Sequence, residues 1–143
     1  MKVYIASDND GLRLKNVLID KIKEMKLDYK DLTKEGFDLV DASNAVCENL
    51  LNDNSYDSVG IVIDRFGAGS YIACNKHKHI VAAEISDERS AIMTKRHNGA
   101  RVLVMGSGIV GDDLAISCME KFLTYKYDGG RHQIRIDMLD KML

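Results

Sequence analysis

Short apolar runs alternate with stretches of helical periodicity along the whole chain. "KVYIA" predicts a first strand. From Gly11 onward Leu14, Val17, Leu18, Ile22 and Met25 recur at helical spacing, which predicts a helix that packs one stripe on a sheet. "DYKDL" predicts a second strand, and Val40, Ala45, Leu50 and Leu51 predict a second helix of less regular period. "SVGIVI" is almost continuously apolar and β-branched, as expected of a strand covered on both faces. A helix after Gly69, the strand "IVAAEI", a helix from Asp87 to about Arg96, the strand "RVLVM" and a helix from Asp112 continue the alternation. A last helix begins near Gly130. This order predicts an α/β fold: a single Rossmann-like domain with a mainly parallel five-stranded sheet, helices on both faces, and a C-terminal helix. Ligands in such sheets bind beyond the carboxyl ends of the strands, which singles out Ser7–Gly11, Asp64–Ser70, Ser86–Asp87 and Gly106–Gly111.

Composition narrows the class. A chain of 143 residues is most simply one domain, 1–143, able to bury roughly 70% of the surface of its unfolded form. Apolar residues make up 45% and charged residues 29%, close to globular averages, so neither disorder nor a membrane protein is indicated. A net charge of −2 argues against a nucleic-acid or anionic-membrane binder, whose affinity comes from excess Lys and Arg. The apolar run at the amino terminus is too short for a signal sequence or a span, so the expected location is the cytoplasm. Cys47, Cys74 and Cys118 are odd in number and widely spaced. They are expected to be reduced, partly buried thiols, with neither a disulfide framework nor a zinc site.

Several short segments carry candidate chemistry. "GSGIVG", Gly106–Gly111, matches the dinucleotide fingerprint but follows the last predicted strand, and no acidic residue ends a further strand about 20 positions on. Those glycines are expected to turn the chain. His77 and His79 in "KHKHI" lack further ligands that sequence could assign, so a solvated loop is expected. In "KRHNGA", His97 and Asn98 stand where a helix ends. His97 either complements the helix terminus or exchanges protons as an acid/base group. "YDGGRHQIR" breaks the chain at Gly129 and Gly130 and then sets Arg131 and Arg135 four apart on one helix face. Two guanidinium forks there suit a phosphate monoester; the alternative is a solvated face paired with Asp128 or Asp137.

"ASDNDG", "GIVIDRFGAGSYIACNK", "RHNGARVLVMGSGIVG" and "YDGGRHQIR", in this order and spacing, resemble the ribose-5-phosphate isomerase B and galactose-6-phosphate isomerase family over essentially the whole chain. The resemblance implies a Rossmann-like fold, dimers or dimers of dimers, and active sites shared between subunits. It implies an aldose–ketose isomerisation through an enediol, with no metal and no organic cofactor. One subunit of such a pair supplies a cysteine base in a Cys-Gly-Thr-Gly loop and an Asp-His pair; its neighbour supplies a His-Asn pair and phosphate-binding arginines. His97 and Asn98 match the His-Asn pair, implying ring opening by His97 and substrate positioning by Asn98, while Arg131 and Arg135 match the arginines. The other half is altered: Asn9 replaces the histidine, Asp64 the cysteine, Arg65 a glycine and Phe66 the threonine, although Asp8 is kept. Ser70 stands where some relatives carry a glutamate base.

Phenylalanine cannot donate to an oxyanion, and a fixed carboxylate opposes a developing enediolate. "IDRFGAGS" and "AAEISDERS" further resemble the family's A-subunit branch, which works with a B subunit that keeps the cysteine half. The leading expectation is therefore a subunit of a heteromeric enzyme interconverting galactose 6-phosphate and tagatose 6-phosphate, as in lactose metabolism, with a homologous cysteine-bearing partner. Two alternatives stand beside it. Asp64 could be the base of a self-sufficient homo-oligomer, or the chain could be a non-catalytic module that senses a sugar phosphate or binds a nucleotide at "GSGIVG".

Overall fold

The computed structural model describes residues 1–143. Five strands, β1 (Lys2–Ser7), β2 (Asp28–Asp31), β3 (Val59–Asp64), β4 (Ala82–Glu84) and β5 (Val102–Gly106), alternate with helices. The helices are α1 (Leu12–Glu24), α2 (Leu39–Asn52), α3 (Ala68–Cys74), α4 (Glu88–Asn98), α5 (Asp112–Thr124) and α6 (Arg131–Asp140). The strands form one sheet in the order β2-β1-β3-β5-β4, and every pairing is parallel. The predicted α/β sheet is therefore present, and parallel throughout.

Burial explains the order. All six residues of β3, the middle strand, are buried. Val59, Ile61 and Ile63 of β3 pack with Leu14, Leu18 and Ile22 of α1 and with Cys118, Met119 and Phe122 of α5. On the opposite face Val62 packs with Val46, Cys47 and Leu50 of α2 and Cys74 of α3. Truncating a fully enclosed side chain such as Leu18 to Ala costs about 2–5 kcal/mol. Gly60 faces α2 so closely that a Cβ would lie 2.3 Å from Val46 Cγ1. The polar strand β2 offers the core only Tyr29, half-buried. It is held by its ladder to β1 and by Lys15, whose buried Nζ donates to Asp31 at 2.7 Å and to Thr33 Oγ1 at 3.0 Å.

Three local expectations change. In α2 the buried positions are Ala42, Ser43, Val46, Cys47 and Leu50. Of the predicted set Leu50 is buried and Ala45 half-buried, whereas Val40 and Leu51 are exposed, so the buried stripe has a phase that the apolar residues alone do not show. Asp38 sets that phase: its side chain accepts from the Val40 N–H and its own N–H donates to Asp41, closing a capping box. The strand predicted from Ile80 to Ile85 is only Ala82–Glu84. Its outer edge is closed at Ala82 by Asn75, whose side chain bonds both the Ala82 N–H and its carbonyl at 3.0 Å. The three thiols are fully buried, not partly, and unpaired. Burial pushes the Cys118 thiol up to about 11. No helix is long and apolar enough to cross a membrane.

Candidate active site

Strand order reverses between β1 and β3, so the loops after β1, β3 and β5 meet at the carboxyl edge of the sheet. They are bonded to one another. The Ser107 N–H donates to the Asp64 carbonyl at 2.8 Å, the Gly108 N–H to the Arg65 carbonyl at 2.7 Å, and the Ser107 hydroxyl to the Asp10 carbonyl at 2.9 Å. The N–H groups of Ile109 and Val110 turn back to the Gly106 carbonyl. The donors from Ser107 to Val110 are thus consumed inside the protein, and a Cβ on Gly106 would lie 2.5 Å from the Phe66 backbone. The "GSGIVG" glycines serve close packing and turning, as their sequence context predicts, and present no phosphate cradle.

Asp64 is also committed to its own chain. It is 3% exposed. One carboxylate oxygen accepts from the Gly67 N–H, and the other accepts from the Ser70 N–H at 3.1 Å and the Ser70 hydroxyl at 2.9 Å. Gly67 takes φ +83°, and a side chain there would also meet Glu84, so the turn into α3 needs a glycine. The carboxylate is thereby the internal brace of the β3–α3 turn. Phe66 next to it is 58% exposed, with the Arg65 guanidinium 5.5 Å from its ring centre. Asp8, half-buried across the crevice, accepts from the Gly11 N–H at 2.9 Å. Burial raises its carboxyl above the usual range, and the Asp64 and Asp10 charges add to the rise.

One stability prediction arises here. Asp64→Ala leaves two backbone N–H groups and a hydroxyl without their buried acceptor, and should cost about 3 kcal/mol or more. Urea unfolding of the purified chain measures it; a loss below about 1 kcal/mol contradicts the bracing role.

The second group of candidates is assembled where α4 ends. Gly99 closes the helix in the left-handed region at φ 58°, and a Cβ there would press on the Tyr127 ring at 3.3 Å. Tyr127 is followed by Asp128, whose N–H donates to the Arg96 carbonyl at 2.9 Å and whose carboxylate pairs with the Arg96 guanidinium at 3.0 Å. Gly129 and Gly130, at φ 63° and 57°, then reverse the chain into α6. The result is a flat stack: the His132 ring lies on the His97 ring, centres 4.3 Å apart and planes 12° from parallel. His132 was not among the sequence candidates. Its signal lay beside Arg131, but only the double-glycine reversal brings it over His97.

The structure brings His97, His132, Arg131 and Arg135 together, since the His97, Arg131 and Arg135 charges all act on His132. Asp128 pairs with Arg96 and Asp137 accepts from Gln133. Neither Arg131 nor Arg135 forms an ion pair. Asn98 lines a groove of about 930 Å³ between β4, α3 and the end of α6, together with Tyr71, Asn75 and Glu84. The groove is bounded by His77 and His79, which lie in the expected loop after α3, His79 exposed, and each of which is also bonded. His77 Nε2 bonds Asn44 Oδ1 at 3.0 Å, and His79 Nδ1 bonds Asp140 at 2.8 Å, tying down the end of α6.

His97, Asp128 and His132 bring possible metal ligands within 4.8 Å of one another. The rings are nearly parallel, so their in-plane lone pairs run side by side and do not converge on one ion. Asp128 is held by Arg96 as well. The donor set does not fit a resident metal.

Comparison with known proteins identifies the family. The chain is 48% identical over 142 residues, 99% of each chain, to the galactose-6-phosphate isomerase subunit LacA of Streptococcus pneumoniae. It is 48% identical over 143 residues, again 99% of each, to the same subunit of Staphylococcus epidermidis. The ribose-5-phosphate isomerase B structure from Clostridium thermocellum superposes with a TM-score of 0.94 at 32% identity, covering 99% of this chain and 97% of that one. That from Mycoplasma genitalium with bound ribulose-5-phosphate gives 0.90 at 32% identity, covering 99% and 95%. With the Ribose/Galactose Isomerase pattern also running from residue 3 to residue 139, the chain belongs to that family of isomerases.

Proposed function

We propose that the chain is the His-Asn and arginine half of a galactose-6-phosphate isomerase, completed by a homologous subunit that carries the proton-transfer base. The observation that carries this reading is the β3–α3 turn. The residue at the family's base position, Asp64, has both oxygens engaged by Gly67 and Ser70, and Phe66 beside it offers no donor. A second copy of this chain would bring the same closed turn. The full-length identity to proteins named as subunits supports the same division of labour. Exposed apolar side chains give a partner something to cover: Ile134 and Met138 on α6, at 66% and 63%, and Ile72 on α3.

Within such a site Arg131 and Arg135 anchor the phosphate dianion of the sugar through charge-assisted hydrogen bonds. His97 gives a proton to the ring oxygen as the C1–O bond opens, and Asn98 holds the chain of hydroxyls in the groove. The partner's base then removes the proton from C2. The electron pair left behind forms the C1–C2 double bond as the C1 carbonyl π pair moves to O1, which takes a proton to give the enediol. Return of a proton to C1 with loss of the O2 proton forms the C2 carbonyl of the ketose. The product is tagatose 6-phosphate. No step needs a metal or an organic cofactor.

Arg131→Gln and Arg135→Gln test the phosphate role. Each should raise KM for galactose 6-phosphate by about 10–100-fold in the assembled enzyme, since a hydrogen bond to a charged group contributes about 1.5–3 kcal/mol. Steady-state kinetics checks this. Unchanged KM in both variants would return the arginines to a solvated surface role.

A further inference from the structure

His132 has no task in the scheme above, yet its ring lies flat on that of His97. Stacked in this way the two imidazoles share no hydrogen bond, so they influence each other through charge, and a proton on one opposes a proton on the other. Charged groups act on the pair from two elements: Asp128 from the connecting segment, and Arg131 and Arg135 from α6. Asp128 is the one acid among them, and it is shared with Arg96. His132 accordingly sits below the ordinary histidine value. Partial burial contributes most, followed by the charges of His97 and Arg131, with Arg135 adding to the depression and Asp128 opposing it.

That balance changes when an anion arrives. A dianion seated on Arg131 and Arg135 offsets two of the charges that, with burial, disfavour a proton on the stack. The stack then takes up one proton and not two, because the rings still repel a second charge. We propose that His132 is a positioning residue that couples phosphate binding to proton loading of the stacked His97–His132 pair. A phosphorylated sugar in place thereby favours the proton on the stack that contains the ring-opening acid.

The proton enters from solvent on anion binding. In ring opening it passes from the imidazolium to the ring oxygen as the C1–O bond breaks and that oxygen takes the electron pair. The C1 hydroxyl loses its own proton to solvent and becomes the aldehyde, so charge and atoms balance. Phosphate recognition thus does more than anchor the substrate: it also favours proton loading of the stack. The inference rests on the phosphate and acid roles proposed for Arg131, Arg135 and His97.

The test is calorimetric titration of the full chain, alone and with its partner subunit, with inorganic sulfate near neutral pH in two buffers of different ionisation enthalpy. Sulfate is a dianion with no proton to exchange there, so any uptake belongs to the protein. The wild-type chain should take up protons as sulfate binds. In His132→Phe, which keeps a flat ring in the stack, and in His132→Gln, sulfate should still bind and the uptake should be lost. The acid limb of the kcat/KM pH profile should move in the same variants, a change that a merely structural role for His132 does not produce. Proton uptake retained in both variants overturns the coupling and leaves the proposed function standing. Failure of sulfate to bind, or binding that is indifferent to Arg131→Gln and Arg135→Gln, overturns the phosphate assignment itself.

Discussion

His97→Ala should lower the turnover of the assembled isomerase by about 10²–10⁴-fold while leaving assembly intact, because a positioned acid/base group contributes a factor of that order. The structure separates this loss from a folding defect. His97 is half-buried in the last turn of α4, and the contact it loses is the stack on His132. Losing an aromatic stack costs roughly 0.5–1.5 kcal/mol, small beside the stability of a domain this size. Gly99 still ends the helix and Asp128 still grips Arg96, so the α6 arm keeps its place. Kinetics on the co-purified complex, with gel filtration to show that it is intact, measures the effect. Turnover within a few-fold of wild type would favour the non-catalytic reading, since a scaffold has no such residue to lose.

Much of this was legible before any coordinate. β1, β3 and β5 are continuous apolar runs, and α1 shows its buried stripe in the spacing of Leu14, Leu18 and Ile22. His97, Asn98, Arg131 and Arg135 stand in segments whose order alone resembles the isomerase family. What sequence could not give depends on phase and reach. The helix α2 follows from sequence, but its buried stripe does not, because Val40 and Leu51 are apolar yet exposed, while Ser43, a polar residue, is buried with its hydroxyl bonded to the Leu39 carbonyl. The partner of Asp128 could not be read either. The carboxylate lies near Arg131 in sequence but pairs with Arg96, 32 positions away, because the Gly129–Gly130 reversal carries Arg131 off in another direction. Asp64 was the most ambiguous residue. A carboxylate at a base position can be a base or a brace, and only its bonds to Gly67 and Ser70 distinguish the two.

The second large effect concerns the chain by itself. A self-sufficient enzyme needs a base that can reach the substrate, and the carboxylates at the carboxyl edge of its sheet supply a poor one. Asp64 is sealed, and Asp8 is tied to the Gly11 N–H, with Asn9 where a histidine is expected. Asp64→Asn should accordingly leave turnover of the assembled enzyme within a few-fold, although the fold is weakened. The Phe66 ring, where the family's threonine would stand, offers no donor to an oxyanion, and the N–H groups of Ser107 and Gly108 are already bonded to the Asp64 and Arg65 carbonyls. The proposed function accordingly expects the chain by itself to be inactive and a second polypeptide with an open loop at this position to restore turnover.

The most direct measurement compares isomerisation of galactose 6-phosphate by the purified chain alone with that by the chain co-expressed with a homologous subunit bearing an intact Cys-Gly-Thr-Gly loop. The shared-site account predicts no turnover above background for the chain alone, full activity for the pair, and loss of that activity when His97 is replaced in this chain only. Robust turnover by the chain alone would contradict it.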